Sequence, residues 1–253
     1  MDYKVAVILT NYNMPERTNA IVEHIIFTVN HPIDYYIVDN GSDLVEPSKY
    51  TTVKLDRNRQ TTGGFLAGVD AAVCSGEDYL AYWFIITSAK FIDTVWADPL
   101  DYLLPKMKHP DTFAISPSVN FPKHCAWEQW MSPRDGGGTR RIWGIDYICA
   151  LISAEKYHAL GGFRPELKYM WGLIGEMNWK ARKNGWKLYI NDNYTIEKHT
   201  DIGYEMNRMN MSAGDRRKLA SANSKDILSP LYGEKYPNKF RYEYTELKMN
   251  GDY

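Results

Sequence analysis

Near its amino end the chain carries VAVILT, Val5 to Thr10, an apolar run that stops in a polar residue. A strand with one wet face alternates apolar and polar side chains, so an unbroken run predicts a strand buried on both faces. Such a strand needs helices on either side of its sheet. The sequence supplies them: Pro15 is placed to open a helix, and Ile21, Ile25, Ile26 and Val29 recur at helical spacing. His31 and Pro32 end that pattern before a second apolar run, Tyr35 to Val38, completing a β-α-β unit. A third strand is predicted around Val53 to Leu55, a helix from about Gly64 to Cys74, and another buried strand in LAYWFII, Leu80 to Ile86. Alternation of this kind predicts an α/β fold with a mostly parallel central sheet flanked by helices, whose ligands bind beyond the carboxyl ends of the strands. The stretch from Pro117 to Arg141, which contains RDGGGTRR, is predicted to be a mobile surface loop. Helical spacing returns from Ala213 to Leu228, followed by a polar, Tyr-rich tail expected to lie on the surface.

With 44% apolar residues over 253 positions, the chain supports one substantial core, so a single domain is expected. Its 30 basic and 31 acidic residues leave no overall field to recruit a polyanion or an anionic membrane. Cys74, Cys125 and Cys149 are odd in number and widely spaced, which suggests neither a disulfide framework nor a zinc site and fits a reducing compartment. There is no charged leader ahead of a long apolar stretch, and Leu80 to Ile86 is too short to span a bilayer. A soluble, cytoplasmic protein is expected. Six of the eight tryptophans (Trp127, Trp130, Trp143, Trp171, Trp179 and Trp186) fall after residue 120, as core packing or as faces on which sugar rings stack.

Three predicted strand ends carry polar groups: Thr10 to Asn13, Asp39 to Ser42, and Asn58 to Gly64. Side by side they form one rim. Asp39 can accept from the N–H of a pyrimidine ring, Tyr12 offers a face for base stacking, and small residues let backbone N–H groups approach phosphates. Thr10, Asn11, Tyr12, Asp39, Asn58, Gly63 and Gly64 are therefore candidates for binding a nucleotide without a P-loop.

In this order and spacing, VAVILTNYN, IVDNGSD and NRQTTGGFLAGVDAA resemble family 2 glycosyltransferases, in particular rhamnosyl- and galactofuranosyltransferase-like members. GGFRPELKYMWGLIGEMNWKARKNGWKL is similar to that family's acceptor-side segment, so the likeness covers roughly residues 4 to 200. The resemblance implies a GT-A fold over residues 1–230, with a nucleotide-binding half (1–95), an acceptor half (96–230) and a tail (231–253). It implies a UDP- or dTDP-type sugar donor and, usually, inversion by direct displacement. Glu176 matches the family's acidic position before an arginine, here Arg182, and is the candidate base for the acceptor hydroxyl. Trp143, Asp146 and Trp171 are the candidates for the acceptor side.

One departure bears on the metal. Where the family carries an Asp-containing motif after the fourth strand, this chain has Thr87, Ser88, Ala89 and Lys90, without a carboxylate. Mg²⁺ and Mn²⁺ require oxygen ligands, preferably anionic ones. No cofactor is firmly implied; Asp93 and His199 are weak metal candidates, and Mg or Mn stays open. Lys90, Arg140, Arg141 and His199 are the candidates for stabilising the leaving diphosphate instead. The acceptor is open among a glycan, a lipid-linked sugar, a protein side chain and a small molecule, while the balanced charge offers a nucleobase no support. A nucleotidyltransferase would be expected to carry a Gly-rich loop after the first strand, which TNYNMPERTN lacks. A Rossmann oxidoreductase would need GxGxxG spacing, which GGFLAG lacks. The rival reading is a catalytically inactive GT-A domain that binds a nucleotide, a glycan or a partner.

Overall fold

The computed structural model describes residues 3–92, 96–122, 127–199 and 211–242. Its strands are β1 (Lys4–Asn11), β2 (Ile33–Asp39), β3 (Val53–Lys54), β4 (Tyr79–Ile86), β5 (Ala89–Lys90), β6 (Thr112–Asn120), β7 (Thr139–Ile142), β8 (Cys149–Ser153) and β9 (Lys187–Lys198). The helices are α1 (Pro15–Thr28), α2 (Gln60–Cys74), α3 (Pro99–Met107), α4 (Glu128–Met131), α5 (Ala154–Ala159), α6 (Leu173–Lys183), α7 (Ala213–Tyr232) and α8 (Tyr236–Tyr242). One sheet holds the strands in the order β3-β2-β1-β4-β8-β6-β9-β5, with β7 also paired to β9.

The sheet is mixed, which corrects the mostly parallel expectation. β3, β2, β1 and β4 pair in parallel, as the β-α-β reading requires. Beyond β4, β8 runs antiparallel to both β4 and β6, β6 and β9 are parallel, and β5 and β7 are antiparallel to β9. The reversal has a visible cause. The segment before β8 is fastened to the carboxyl end of β4, where the Ile86 amide donates to the Ile148 carbonyl at 3.0 Å. A strand that starts there must run back. Its direction brings residues 143–148 to the end of the sheet where β1 and β4 finish.

Val5 to Leu9 are wholly buried, as their unbroken apolar run requires. Burying each of the Val, Ile and Leu side chains among them is worth about 1.5–3 kcal/mol. α2 lies against β1 because it presents glycine there. A Cβ on Gly68 would strike the Ile8 side chain, and one on Gly64 the Thr10 methyl. This close approach sets the amino end of α2 beside the end of β1.

One loop reading needs correction. Apart from residues 123–126, which lie outside the described residues, 117–141 includes the end of β6, α4 and the start of β7, and Arg140 ties α4 and β7 to β9. Its Nε donates to Asp192 at 2.6 Å, and its terminal nitrogens donate to the carbonyls of Trp130 and Ser132 at 2.7 and 2.8 Å. The described part of the tail holds α8, which packs onto the domain through the buried Tyr236 and Phe240, while residues 243–253 lie outside the described residues. Among the described residues, no helix is long and apolar enough to cross a membrane.

Candidate active site

A cleft of about 850 Å³ opens beyond the carboxyl ends of β1 and β4. Thr10, Tyr12, Asn40, Asn58, Gln60, Thr61, Thr87 and Ser88 line the sheet side. The facing wall is largely aromatic, and four of the late tryptophans, Trp127, Trp130, Trp143 and Trp171, belong to it. The other two are packing residues: Trp179 lies against Tyr232 and Phe240, and Trp186 stacks on Phe113.

On the sheet side, the polar rim divides into a facing layer and a supporting layer. Asp39 is wholly buried and does not line the cleft. Its Oδ1 accepts from Ser42 Oγ at 2.5 Å and from the Asn11 amide at 3.2 Å, and its Oδ2 accepts from the Ser42 N–H. Asp39 and Asn11 thus brace the turn after β2, while Gly63 and Gly64 sit beneath the rim against Arg59 and Thr10. Asn40, part of the predicted rim but not among the candidate ligand residues, lines the cleft and holds the next loop. Its Nδ2 donates to Asn58 Oδ1 and the Gln60 carbonyl, and its Oδ1 accepts from the Arg59 amide at 2.9 Å. Gln60 opens α2 with φ of 60°, a left-handed conformation that those bonds hold in place. Tyr12 is half-buried and donates to Asp43 at 3.1 Å. Thr10 faces the cleft with an Oγ1 that is buried and, among the described residues, has no hydrogen-bond partner. Such an orphan costs about 1–3 kcal/mol unless a ligand or water satisfies it.

Glu176 does not face the cleft. Gly175, Asn178 and Arg182, at helical spacing, form the cleft side of α6, and Glu176 lies one position round, 1% exposed. Its Oε1 accepts from Arg164 at 3.0 Å, from Tyr232 at 2.6 Å and from Lys180 at 3.1 Å. Burial pushes its pKa up, but Arg164, Tyr232 and Lys180 outweigh that and leave it below the usual carboxylate range. A carboxylate so held is a poor proton acceptor.

Asp146 is the one carboxylate lining the cleft among the described residues. It sits in the segment delivered by the reversed β8, fixed by the Asn178 amide donating to the Ile145 carbonyl at 3.0 Å. Burial raises its pKa, against opposing contributions from Lys198 and the Tyr147 amide.

The cations are redistributed as well. Ala89 pairs with Lys198 and Lys90 with Glu197, and successive strand residues point to opposite faces. Lys90 therefore turns away from the cleft, to Glu197 at 3.0 Å, while Lys198 lines it. His199 lines the cleft too, its amide donating to the Ser88 carbonyl at 2.8 Å. Arg140 is spent on Asp192 and two carbonyls, and Arg141 pairs along β7 with Tyr189; neither lines the cleft. Arg216 and Arg217, from the first turns of α7, do line it. Sequence reasoning passed over both, although DRRK at a predicted helix start was a signal. Trp143 lies under the Arg182 guanidinium at 3.7 Å, and Trp171 is 49% exposed at the rim.

A divalent cation fits this donor set poorly. Among the described residues the cleft offers one carboxylate and one imidazole against Arg182, Lys198, Arg216 and Arg217. Hard cations prefer several anionic oxygens. Asp93 lies outside the described residues. His31, Asp98 and Asp101 form the described cluster with metal-ligand spacing. They are elsewhere: His31 precedes the amino end of β2, and Asp98 caps α3, accepting from the amides of Leu100 and Asn30.

No protein-family model matches the chain, and no curated protein matches it in sequence. Its structure is similar to that of GalNAc-T7 solved with UDP, GalNAc and Mn²⁺, with a TM-score of 0.59 and 14% identity. The match covers 96% of this chain and 54% of the GalNAc-T7 chain, so the protein spans about half the length of that chain. What the two share is a mixed α/β fold of the GT-A glycosyltransferase kind.

Proposed function

We propose that the protein is a glycosyltransferase that moves a sugar from a nucleoside diphosphate to an acceptor hydroxyl in the cleft beyond β1 and β4. The observation that carries this reading is the opposition, in one cleft, of a strand-end polar rim and Asp146, the one lining carboxylate among the described residues, whose pKa is raised. The GT-A fold, whose solved relative is bound to UDP and GalNAc, supports it. The donor is of UDP or dTDP type. Its base lies against Tyr12 and Asn58, and its ribose or phosphate bonds the Thr10 hydroxyl, which has no partner among the described residues. The sugar faces the aromatic wall, where Trp171 and Trp143 offer stacking faces to donor and acceptor rings.

Asp146 is the base in this reading. As the acceptor oxygen bonds to the anomeric carbon, its proton passes to the Asp146 carboxylate. The bond from that carbon to the diphosphate breaks, its electron pair leaves with the nucleoside diphosphate, and the configuration inverts. A carboxyl whose pKa is raised toward the working pH suits this step better than one held down by three donors. Glu176 instead ties α6, which carries Asn178 and Arg182, to Arg164 and to the end of α7.

The test is release of nucleoside diphosphate from a panel of UDP- and dTDP-sugars. Turnover of one donor, stimulated by glycan or small-molecule acceptors, is expected. Glycan binding with no donor turned over would favour the inactive, binding-only reading.

A further inference from the structure

We infer that the donor diphosphate is held by Lys198, Arg216 and Arg217, which take the place of a divalent cation. The inference rests on the nucleotide-sugar reading above and concerns how that site carries charge. Lys198 pairs with Ala89, and His199 donates its amide to Ser88, so the end of β9 lies along the residues that follow β4. That is where the sequence resemblance puts metal-binding carboxylates, and Thr87 to Lys90 carry none. Arg216 lies in the first turn of a twenty-residue helix, whose amino end adds partial positive charge. Arg217 follows it and is exposed.

The charge balance favours the organic cations. Arg182, a fourth cation lining the cleft, donates to the carbonyls of Trp143 and Phe240 at 2.6 and 2.7 Å. Lys198 is shared with Asp146, which lies within its electrostatic reach. Two arginines and part of a lysine therefore face a diphosphate diester that carries two negative charges. Among the described residues, a divalent ion added to them would meet one carboxylate and repulsion from its neighbours. As the glycosidic bond breaks, the departing diphosphate gains charge, and fixed cations stabilise it without needing to reorganise.

The experiment compares UDP with UMP by calorimetry, first in EDTA and then with Mn²⁺. UDP is expected to bind the parent protein in EDTA, more tightly than UMP, with its affinity unchanged by Mn²⁺. Arg216→Ala/Arg217→Ala should weaken UDP by about ten- to a hundredfold, leave UMP within about threefold and so erase the preference. Arg216→Lys/Arg217→Lys, which keeps the charge, should retain most of the UDP affinity. UDP binding that appears only with Mn²⁺ would overturn the inference while keeping the nucleotide reading. So would a double alanine variant that binds UDP like the parent. If neither nucleotide, nor dTDP, binds with or without metal, the nucleotide reading fails and the clamp with it. The metal comparison needs only the parent protein, so it stands even if the alanine variant does not fold.

Discussion

Replacing Glu176 separates a structural carboxylate from a catalytic one. Its side chain is 1% exposed, and it is the shared acceptor for Arg164, Lys180 and Tyr232. Glu176→Ala leaves those three donors facing one another. Removing one partner of a buried ion pair costs about 3–5 kcal/mol. Here Arg164 and Lys180 retain 31% and 24% exposure and can turn toward water, which reduces the penalty. A loss of about 2–3 kcal/mol is expected, or roughly 4–12 °C in Tm for a chain of this size. Glu176→Gln keeps the shape and one acceptor and should lose about half as much. The pH dependence has a definite sign. The folded pKa lies below the free value, so the carboxylate's contribution is complete above about pH 4.3 and is lost as pH falls through the folded pKa. Parent and Gln variant should therefore converge in stability in acid. Thermal unfolding across pH, with nucleoside diphosphate release at neutral pH, reads both effects. A Gln variant as stable as the parent but a hundredfold slower would refute the structural role and return Glu176 to catalysis.

Three further outcomes follow from particular contacts. Gly64→Ala would drive a Cβ into the Thr10 methyl, so a loss of about 1–3 kcal/mol in denaturant unfolding is expected, with weakened UDP binding as the end of α2 shifts. Trp171→Ala removes a half-exposed ring from the cleft rim; stability should change by less than about 0.5 kcal/mol, while acceptor KM rises. Asp146 has the opposite pH sign to Glu176. Its raised carboxyl pKa makes its contribution to stability greatest at low pH and lost as pH rises through the folded value, so Asp146→Asn should raise Tm at neutral pH and lose that advantage in acid, as thermal unfolding across pH would show.

The parallel half of the fold was legible because its signal is local. Val5 to Thr10 reads as a doubly buried strand and Pro15 as a helix start, and the structure has β1 at Lys4–Asn11 and α1 at Pro15–Thr28. Strand direction is another matter. β8 is as apolar as β4, and nothing in CALIS says that it runs backward; that is fixed by where the preceding segment is fastened. The polar rim was found in outline, but burial decides which of its members face a ligand. Asp39 and Asn11 support, while Thr10, Tyr12 and Asn58 line the cleft. The same limit governs the charges. Lys90 and Lys198 differ in role only through a long-range strand pairing, and Glu176 faces away from the cleft because α6 turns Gly175, Asn178 and Arg182 toward it. Periodicity names the faces of a helix, and only tertiary packing says which one meets the ligand.

The most direct measurement is the single-turnover rate of sugar transfer by the parent and by Asp146→Asn, at saturating donor and at several pH values. If Asp146 takes the acceptor proton, the variant should be slower by about 10²–10⁴-fold with donor affinity little changed. The parent rate should also fall as pH drops through a value above the ordinary carboxylate range. A variant within about tenfold of the parent, or a parent whose rate holds steady down to pH 4, would contradict the assignment of Asp146 and of this cleft as the site of transfer.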